Sequence, residues 1–203
     1  MQLMKSIFLL GLFAVQSLAE PIRVARSPSP AVAEYQRAVA SHNDKRQNGY
    51  VEWPVGDDVP NVDMRDFDKV GRGGSIKTDG LASCIAIVVY NKTPQDDDND
   101  KFLAHISALG WEDQLTPFFE AMDLSDPRVM IIVPLPEETD SPAVMKKVNE
   151  DLIARVFDEW EDYDPKAYVR DGARVNERGG SRLWVDGDNV VHWSVTGAVI
   201  EPR

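Results

Sequence analysis

Cysteine is almost absent from this chain. Cys84 is the only one among 203 residues, so no internal disulfide can form. The fold must therefore be held by its hydrophobic core, to which 43% hydrophobic residues contribute. An unpaired cysteine in a secreted chain is either a free thiol or part of an intermolecular bond. Its surroundings decide between a buried structural residue and a reactive one.

Histidine is also scarce, at three residues. These are His42, His105 and His192, and together with one cysteine they cannot assemble a zinc site. The acidic run Asp96–Asp98 lacks the ligand spacing and the glycine of a calcium-binding loop, so it is typical of a solvated loop. We therefore expect no metal.

Positive charge is in deficit. The chain has 22 basic and 34 acidic residues, a net charge of −12. Such a field repels nucleic acid and anionic membrane surfaces and favours solubility. We therefore expect no nucleic-acid or membrane partner, and we expect a monomer.

Long apolar runs are confined to the N-terminus. Residues 6–18 form an apolar run that is too short to span a bilayer, and the small residues at 17–19 give the usual cleavage spacing. This pattern predicts a signal peptide over residues 1–19 and a secreted, extracellular protein. Residues 20–46 have little periodicity and end at a dibasic pair, Lys45-Arg46. They are predicted to be a disordered, propeptide-like segment, with an ordinary disordered N-terminus as the alternative.

Residues 47–203 are predicted to be one domain, large enough to bury a core. Short β-branched apolar runs indicate buried strands, and Ser-Pro and Thr-Pro pairs indicate helix starts. The predicted strands are 75–78, 84–90, 102–107, 129–133, 182–185 and 190–195, and the predicted helices are 116–122 and about 141–160. The fold class is α/β (α+β): a mixed or antiparallel sheet layered with two helices.

An N-glycosylation sequon lies at the end of the second predicted strand. Asn91-Lys92-Thr93 has the required pattern, and in a secreted protein it fits a surface hairpin. Many sequons are not used. Asn91 is therefore a glycosylation candidate, and its use stays open.

Cys84 follows a turn of small residues and precedes a β-branched strand, where a thiol can lie at the mouth of a sheet. The reactive form of cysteine is the thiolate, which needs a partner that lowers its pKa or takes its proton. His105, one strand later, is the candidate base. Backbone N–H groups at the turn, around Ala82, Ser83 and Cys84, are candidates to stabilise an oxyanion. A cysteine and a histidine at this spacing are common by chance.

The stretch Gly80–Tyr90 resembles the core motif of the CheD family of bacterial chemoreceptor glutamine deamidases. In that family a Gly-Leu-Gly-Ser-Cys turn opens a hydrophobic strand and the cysteine is the nucleophile. A threonine six residues earlier matches Thr78, and a Met-Ala-His strand matches Leu103-Ala104-His105. The similarity extends from about Ser75 to Val195, through a Gly-Gly pair and a closing hairpin. Toxin deamidases of the cytotoxic-necrotizing-factor type share this arrangement.

The resemblance implies a CheD-like deamidase fold and a Cys-His-Thr triad without cofactor. Cys84 would attack a glutamine side chain of a protein substrate, His105 would act as base, and Thr78 would orient His105. Ala82 replaces the family's third-position glycine, and Lys101-Phe102 replaces a glycine pair. A secreted protein does not meet a bacterial chemoreceptor in its own cell, so the family's usual target does not transfer.

Two other classes of function remain open. One is a secreted, non-catalytic binding or effector protein on a deamidase-like fold, since a fold alone does not establish an activity. The other is a Cys-His peptidase or transglutaminase, which uses the same residues and differs in the acceptor of the acyl group. The enzymatic interpretation, as a protein-glutamine deamidase, is the one we favour.

Overall fold

A computed structural model describes residues 29–44, 56, 58–93, 99–170, 182–193 and 199–200. The predicted signal peptide, the dibasic pair and the Gly-Gly pair lie outside the described residues. The helices are α1 (Pro30–Asp44), α2 (Trp111–Glu120) and α3 (Pro142–Glu159). The strands are β1 (Asp66–Val70), β2 (Ile76–Thr78), β3 (Ile85–Asn91), β4 (Lys101–Ile106), β5 (Pro127–Pro134), β6 (Lys166–Arg170), β7 (Leu183–Val185), β8 (Val191–Trp193) and β9 (Val199–Ile200). None of the helices in these ranges is long and apolar enough to cross a membrane.

The larger sheet has five strands in the order β1-β4-β3-β5-β6. Its pairs are antiparallel except for β5 and β6, which are parallel and are joined through α3. A parallel pair needs a crossover connection, and α3 supplies it. The predicted class, a mixed sheet layered with helices, is confirmed.

The second sheet has four antiparallel strands in the order β2-β7-β8-β9. It covers one face of the larger sheet, while the helices cover the other. Because successive side chains of a strand point to opposite faces, β3 divides its residues between the two layers. Ile85, Ile87 and Val89 belong to the helix-side core, and Ala86 and Val88 belong to the core between the sheets. We call these the helix face and the sheet face.

The helix face is packed with aromatic and aliphatic side chains. Phe118 of α2 is completely buried, and its ring meets those of Phe67 and Trp160 edge-on at centroid distances of 5.5 and 6.2 Å. Edge-to-face contacts of this kind stabilise beyond the area that they bury. This layer is the main apolar core of the domain.

Helix α1 differs from the sequence prediction. Disorder was expected throughout residues 20–46, and for residues 30–44 this is wrong, because they form a helix against α3 and β6. Ala31 and Tyr35 are buried, and Ala38 and Val39 pack beside them. These four positions have the i, i+4, i+7, i+8 spacing of a helical apolar stripe. The stripe is short and follows two Ser-Pro pairs, so the sequence analysis did not identify it as a helix. Cleavage after the dibasic pair stays a prediction.

Helix α2 begins five residues before the predicted start at Thr116. Gly110, in the left-handed region at φ 64°, precedes it. The Gln114 side chain then accepts a hydrogen bond from the N–H of Ser107 (2.8 Å) and donates one to the carbonyl of Gly110 (2.7 Å). These bonds fasten the first turn to the end of β4, so Pro117 lies inside the helix rather than at its start. Helix α3 begins at Pro142, as predicted.

Candidate active site

Cys84 and His105 lie on the same face of the larger sheet. His105 pairs with Ala86, which follows Cys84 by two residues, and Cys84 lies directly before β3, so the register places it diagonally opposite His105. Both are buried, with 6% of Cys84 and 2% of His105 exposed. The N–H of Cys84 donates to the carbonyl of Leu81 at 2.7 Å, which closes the turn that delivers the thiol to the sheet face. The two residues singled out in the sequence are therefore brought together.

Thr78, the third predicted member, contacts His105 directly. Its Oγ1 lies 2.9 Å from His105 Nδ1 and donates to the carbonyl of Val62 at 2.7 Å. A hydroxyl has one hydrogen and a carbonyl only accepts, so the hydroxyl hydrogen goes to Val62. The bond to His105 must then be donated by Nδ1–H. The tautomer is thereby fixed with Nε2 unprotonated.

Nε2 of His105 is buried and has no hydrogen-bond partner among the described residues. An unpartnered acceptor of this kind costs free energy in a folded protein and is typical of a functional position. The Cys84 thiol is on the same face but makes no hydrogen bond to this nitrogen in the structure. The arrangement therefore orients His105 as a base whose Nε2 accepts no hydrogen bond from the described residues.

The protonation equilibria of the two groups are both shifted by burial. Burial raises the pKa of the Cys84 thiol, and the positive charge of Arg170 and the backbone N–H of Ala108 oppose the shift. Burial lowers the pKa of His105; the carbonyl of Val62 opposes this shift, and Arg170 adds to it. At neutral pH the pair is therefore a thiol and a neutral imidazole rather than a thiolate and an imidazolium. Chemistry here requires the base to take the proton as the sulfur attacks.

Arg170, which the sequence analysis missed, reaches the cysteine turn from the end of β6. It is buried, at 3% exposed, and its Nη2 donates to the carbonyls of Leu81, Ala82 and Cys84. The last two distances are 2.8 and 2.6 Å. The strand β6 was not predicted, and a single arginine at its end gave no signal of its own. Ala82 and Ser83, predicted as oxyanion support, lie in the turn that Arg170 contacts, and Ser83 is exposed.

An apolar rim, which we define as the exposed side chains of Met64 and Leu109, lies in the loops next to the His105 end of β4. Met64 and Leu109 are among the few large apolar side chains that the described residues expose, at 58% and 76%. Arg65 joins the two loops that carry them: its N–H donates to the carbonyl of His105 (2.8 Å) and its Nη2 to the carbonyl of Leu109 (3.4 Å). The rim therefore borders the end of β4 that carries the imidazole.

The opposite end of β4 is held by a buried cation. Lys101 is fully buried, and its Nζ donates to the carbonyls of Gly74 (2.8 Å) and Asp186. Burial lowers the pKa of Lys101, and the carboxylates of Asp100, Asp186 and Asp188 oppose that shift. Lys101, a point of departure from the CheD-like pattern, is a structural tie between the two sheets.

Two other residues of the sequence analysis are placed away from the site. His192 stacks on Trp184 at a centroid distance of 4.6 Å, and its Nε2 lies 2.6 Å from a carboxylate oxygen of Asp186. Asn91, the glycosylation candidate, ends β3 and is only 2% exposed. A glycan on that side chain would require the strand end to open, so burial opposes a prediction that stays untested.

Metal ligands and related proteins were sought next. Within residues 29–44, 58–93, 99–170 and the two C-terminal segments, no group of three or more histidine, cysteine, aspartate or glutamate side chains is placed to hold a metal ion. No protein-family model matches the chain, and no curated protein matches it either. The CheD-like resemblance therefore depends on the residues given above.

Proposed function

We propose that this protein is a secreted, cysteine-dependent protein-glutamine deamidase with the triad Cys84, His105 and Thr78. The observation that carries the proposal is the contact between Thr78 and His105, which leaves Nε2 as an unoccupied base on the face that bears the thiol. A histidine oriented by a third group beside a nucleophile is the logic of catalytic triads. The resemblance to CheD-like deamidases supplies the reaction class.

In the first half of the reaction, Sγ of Cys84 attacks the carbonyl carbon of a glutamine side chain. His105 Nε2 takes the thiol proton as the sulfur–carbon bond forms, and the carbonyl oxygen becomes an oxyanion. The imidazolium then gives that proton to the nitrogen, and ammonia leaves as the carbon–nitrogen bond breaks. The product is a thioester on Cys84.

In the second half, a water molecule replaces the amide nitrogen. His105 Nε2 takes a proton from the water as its oxygen attacks the thioester carbonyl, and returns a proton to sulfur as the carbon–sulfur bond breaks. The products are a glutamate side chain and the free thiol. Thr78 accepts the Nδ1–H bond throughout, so the ring keeps its orientation while Nε2 gains and loses the proton.

Burial of the thiol favours a side-chain substrate over a main-chain one. With 6% of the residue Cys84 exposed, a thin extended group would reach the sulfur more readily than a polypeptide lying across it. A glutamine side chain is such a group. This supports a deamidase over a peptidase.

The decisive test is ammonia release from a glutamine-rich unfolded protein by wild type and Cys84→Ser. Wild type is expected to release ammonia and convert glutamine to glutamate, as seen by mass spectrometry. The variant is expected to release none while its circular dichroism is unchanged. Ser141→Ala is the matched control, because Ser141 precedes α3 and makes no capping hydrogen bond. Equal release by wild type and Cys84→Ser would end the proposal.

A non-catalytic binding protein is the second candidate. It is favoured by one observation: the buried thiol and the imidazole are not hydrogen-bonded to each other. Labelling the folded protein with iodoacetamide across pH, beside His105→Ala, separates the two. Labelling that slows in the variant supports the enzyme, and labelling that needs unfolding in both supports the binder. Incorporation of a primary amine into the acceptor protein would instead indicate a transglutaminase.

A further inference from the structure

We infer that Arg170 is a positioning residue that turns the peptide groups of the Leu81–Cys84 turn so that the N–H groups of Ala82 and Ser83 face the oxyanion. This rests on the proposed function and names the part of the site that would stabilise the charge formed in it. Three features of the structure carry the inference: the direction of the carbonyls, the use of the other N–H groups, and the location of the cation.

The orientation of the peptide groups in the turn follows from their contacts with one nitrogen atom of Arg170. Nη2 of Arg170 contacts the carbonyl oxygens of Leu81, Ala82 and Cys84, so all three C=O bonds point toward the guanidinium. The described residues contain no cis peptide bond, and in a trans peptide the N–H points opposite to the C=O. The N–H groups of Ala82 and Ser83, which share peptides with the first two carbonyls, therefore point away from Arg170.

The turn leaves these N–H groups available. The N–H of Cys84 is already used, because it donates to the carbonyl of Leu81. Those of Ala82 and Ser83 donate no hydrogen bond within the part of the chain that the structure describes. Ser83 is exposed and Ala82 is half-buried, so neither residue is enclosed in the core. A substrate oxyanion would thus find two adjacent donors there rather than the N–H of the nucleophile itself.

The location of the cation strengthens both donors. A peptide group has its positive end at N–H, and a positive charge behind the carbonyl aligns with and polarises that dipole. The charge is buried, where electrostatic interactions are less screened than in water. The same charge opposes the burial penalty on the Cys84 thiolate. Nη2 has two hydrogens for three carbonyls, so at least one hydrogen is shared.

The test compares Arg170→Met and Arg170→Lys with wild type in two readouts. The first is kcat and KM for deamidation of a glutamine-rich unfolded protein. The second is the pH midpoint of iodoacetamide labelling, which reports the thiol without any need for turnover. Arg155→Met is the matched control, because Arg155 is a solvent-facing residue of α3 that pairs with Glu159 and lies over the ring of Phe119, on the helix side of the sheet. Urea unfolding verifies that each variant is folded.

Arg170→Met is expected to lower kcat by about 10²- to 10³-fold, the usual effect of losing an oxyanion donor, with little change in KM. Its labelling midpoint should shift to higher pH. Arg170→Lys should keep the labelling midpoint near that of wild type. Its kcat should lie between those of wild type and Arg170→Met. A merely structural arginine would instead lower the urea midpoint and leave kcat of the folded fraction and the labelling midpoint unchanged, which would overturn the inference.

The remaining outcomes also decide. If Arg170→Met does not fold, Arg170→Lys decides alone: a lowered kcat supports the inference and a wild-type kcat overturns it. If wild type itself releases no ammonia, the proposed function fails, and the labelling midpoint of Arg170→Met then decides: an upward shift supports the hold of Arg170 on the cysteine turn, and no shift overturns it. Failure of the two proposals is therefore distinguishable.

Discussion

The two faces of the five-stranded sheet are made by the same strands and differ in what they bury. On the helix face, β3 contributes Ile85, Ile87 and Val89, and β4 contributes Phe102, Ala104 and Ile106. On the sheet face, alternate positions of the same strands contribute Cys84, His105 and Lys101 among apolar residues. One layer is almost purely hydrophobic, and the other contains every group of the candidate site.

The covering layer explains the difference. Helices present side chains to a sheet and keep their backbone groups bonded internally, so they offer few partners to a buried polar group. The second sheet and its loops offer carbonyls: that of Val62 to Thr78, and those of Gly74 and Asp186 to Lys101. A buried polar group is tolerated where it is hydrogen-bonded. Burying the polar groups of a site therefore costs less folding free energy between two sheets than beneath helices.

The largest expected effect is on the helix face and concerns stability. Phe118→Ala removes a fully buried ring that meets Phe67 and Trp160, and we expect it to lower the free energy of unfolding by about 3–5 kcal/mol. Val144→Ala, at a 62% exposed position of α3, should change it by about 0.5 kcal/mol or less. Urea unfolding measures both. Deamidation per folded molecule should stay at the wild-type level in both variants, and its loss in Phe118→Ala would contradict the division between the faces.

The next effect is on the sheet face and concerns activity. Thr78→Val keeps the shape but leaves Nδ1–H of His105 and the carbonyl of Val62 without their hydroxyl partner. We expect a loss of about 1–3 kcal/mol in transition-state stabilisation, roughly a 5- to 150-fold lower kcat. Thr139→Val is the control, because its hydroxyl also donates to a carbonyl (Pro136, 2.7 Å) but makes no hydrogen bond to His105. Equal kcat in both variants would remove Thr78 from the mechanism.

The smallest effect concerns pH. Burial lowers the pKa of His105 from its ordinary 6.5, so the folded protein keeps this ring neutral at pH values where the unfolded chain already binds the proton. The stability contributed by the neutral ring is full above pH 6.5 and decreases as pH falls toward the folded-state pKa. The slope is at most about 1.4 kcal/mol per pH unit for one group.

His105→Gln isolates that contribution from the carboxylates. Urea midpoints of wild type and variant are compared above and below pH 6.5, and the stability difference between them should shift in favour of the variant as pH falls. The acidic limb of the kcat profile of wild type should likewise lie below 6.5, since Nε2 must be unprotonated to act as base. A pH-independent difference between the two proteins would mean that the ring is not desolvated.

The predictable part of this protein is the part with short-range signals. The β-branched run after Cys84 and the helix start at Ser141-Pro142 are local patterns, and strand β3 and helix α3 occur where they were predicted. The proximity of Cys84, His105 and Thr78 followed from the order of motifs that resemble CheD-like deamidases. Periodicity alone would not have paired them.

What was missed depends on contacts between distant parts of the chain. Arg170 contacts a turn 86 to 89 residues earlier, and nothing in its neighbours marks it. Helix α1 depends on burying Tyr35 beside Asn149, 114 residues later. The tautomer of His105 requires the position of Val62, which no spacing rule provides. Such features belong to tertiary packing, which overrides local propensity.

The pairing of β2 with β7 has a consequence for the order in which the molecule is completed. Thr78 pairs with Leu183, and every other strand of its sheet comes from residues after 182. The hairpin of β3 and β4 closes a short loop, whereas the pairing of β2 with β7 must close one of about a hundred residues, which is entropically costlier and slower. During synthesis Cys84 and His105 thus emerge long before the strand partner of Thr78. We expect the candidate site to be complete only after residue 185 has been made, because β7 must pair with β2 to hold Thr78 in place.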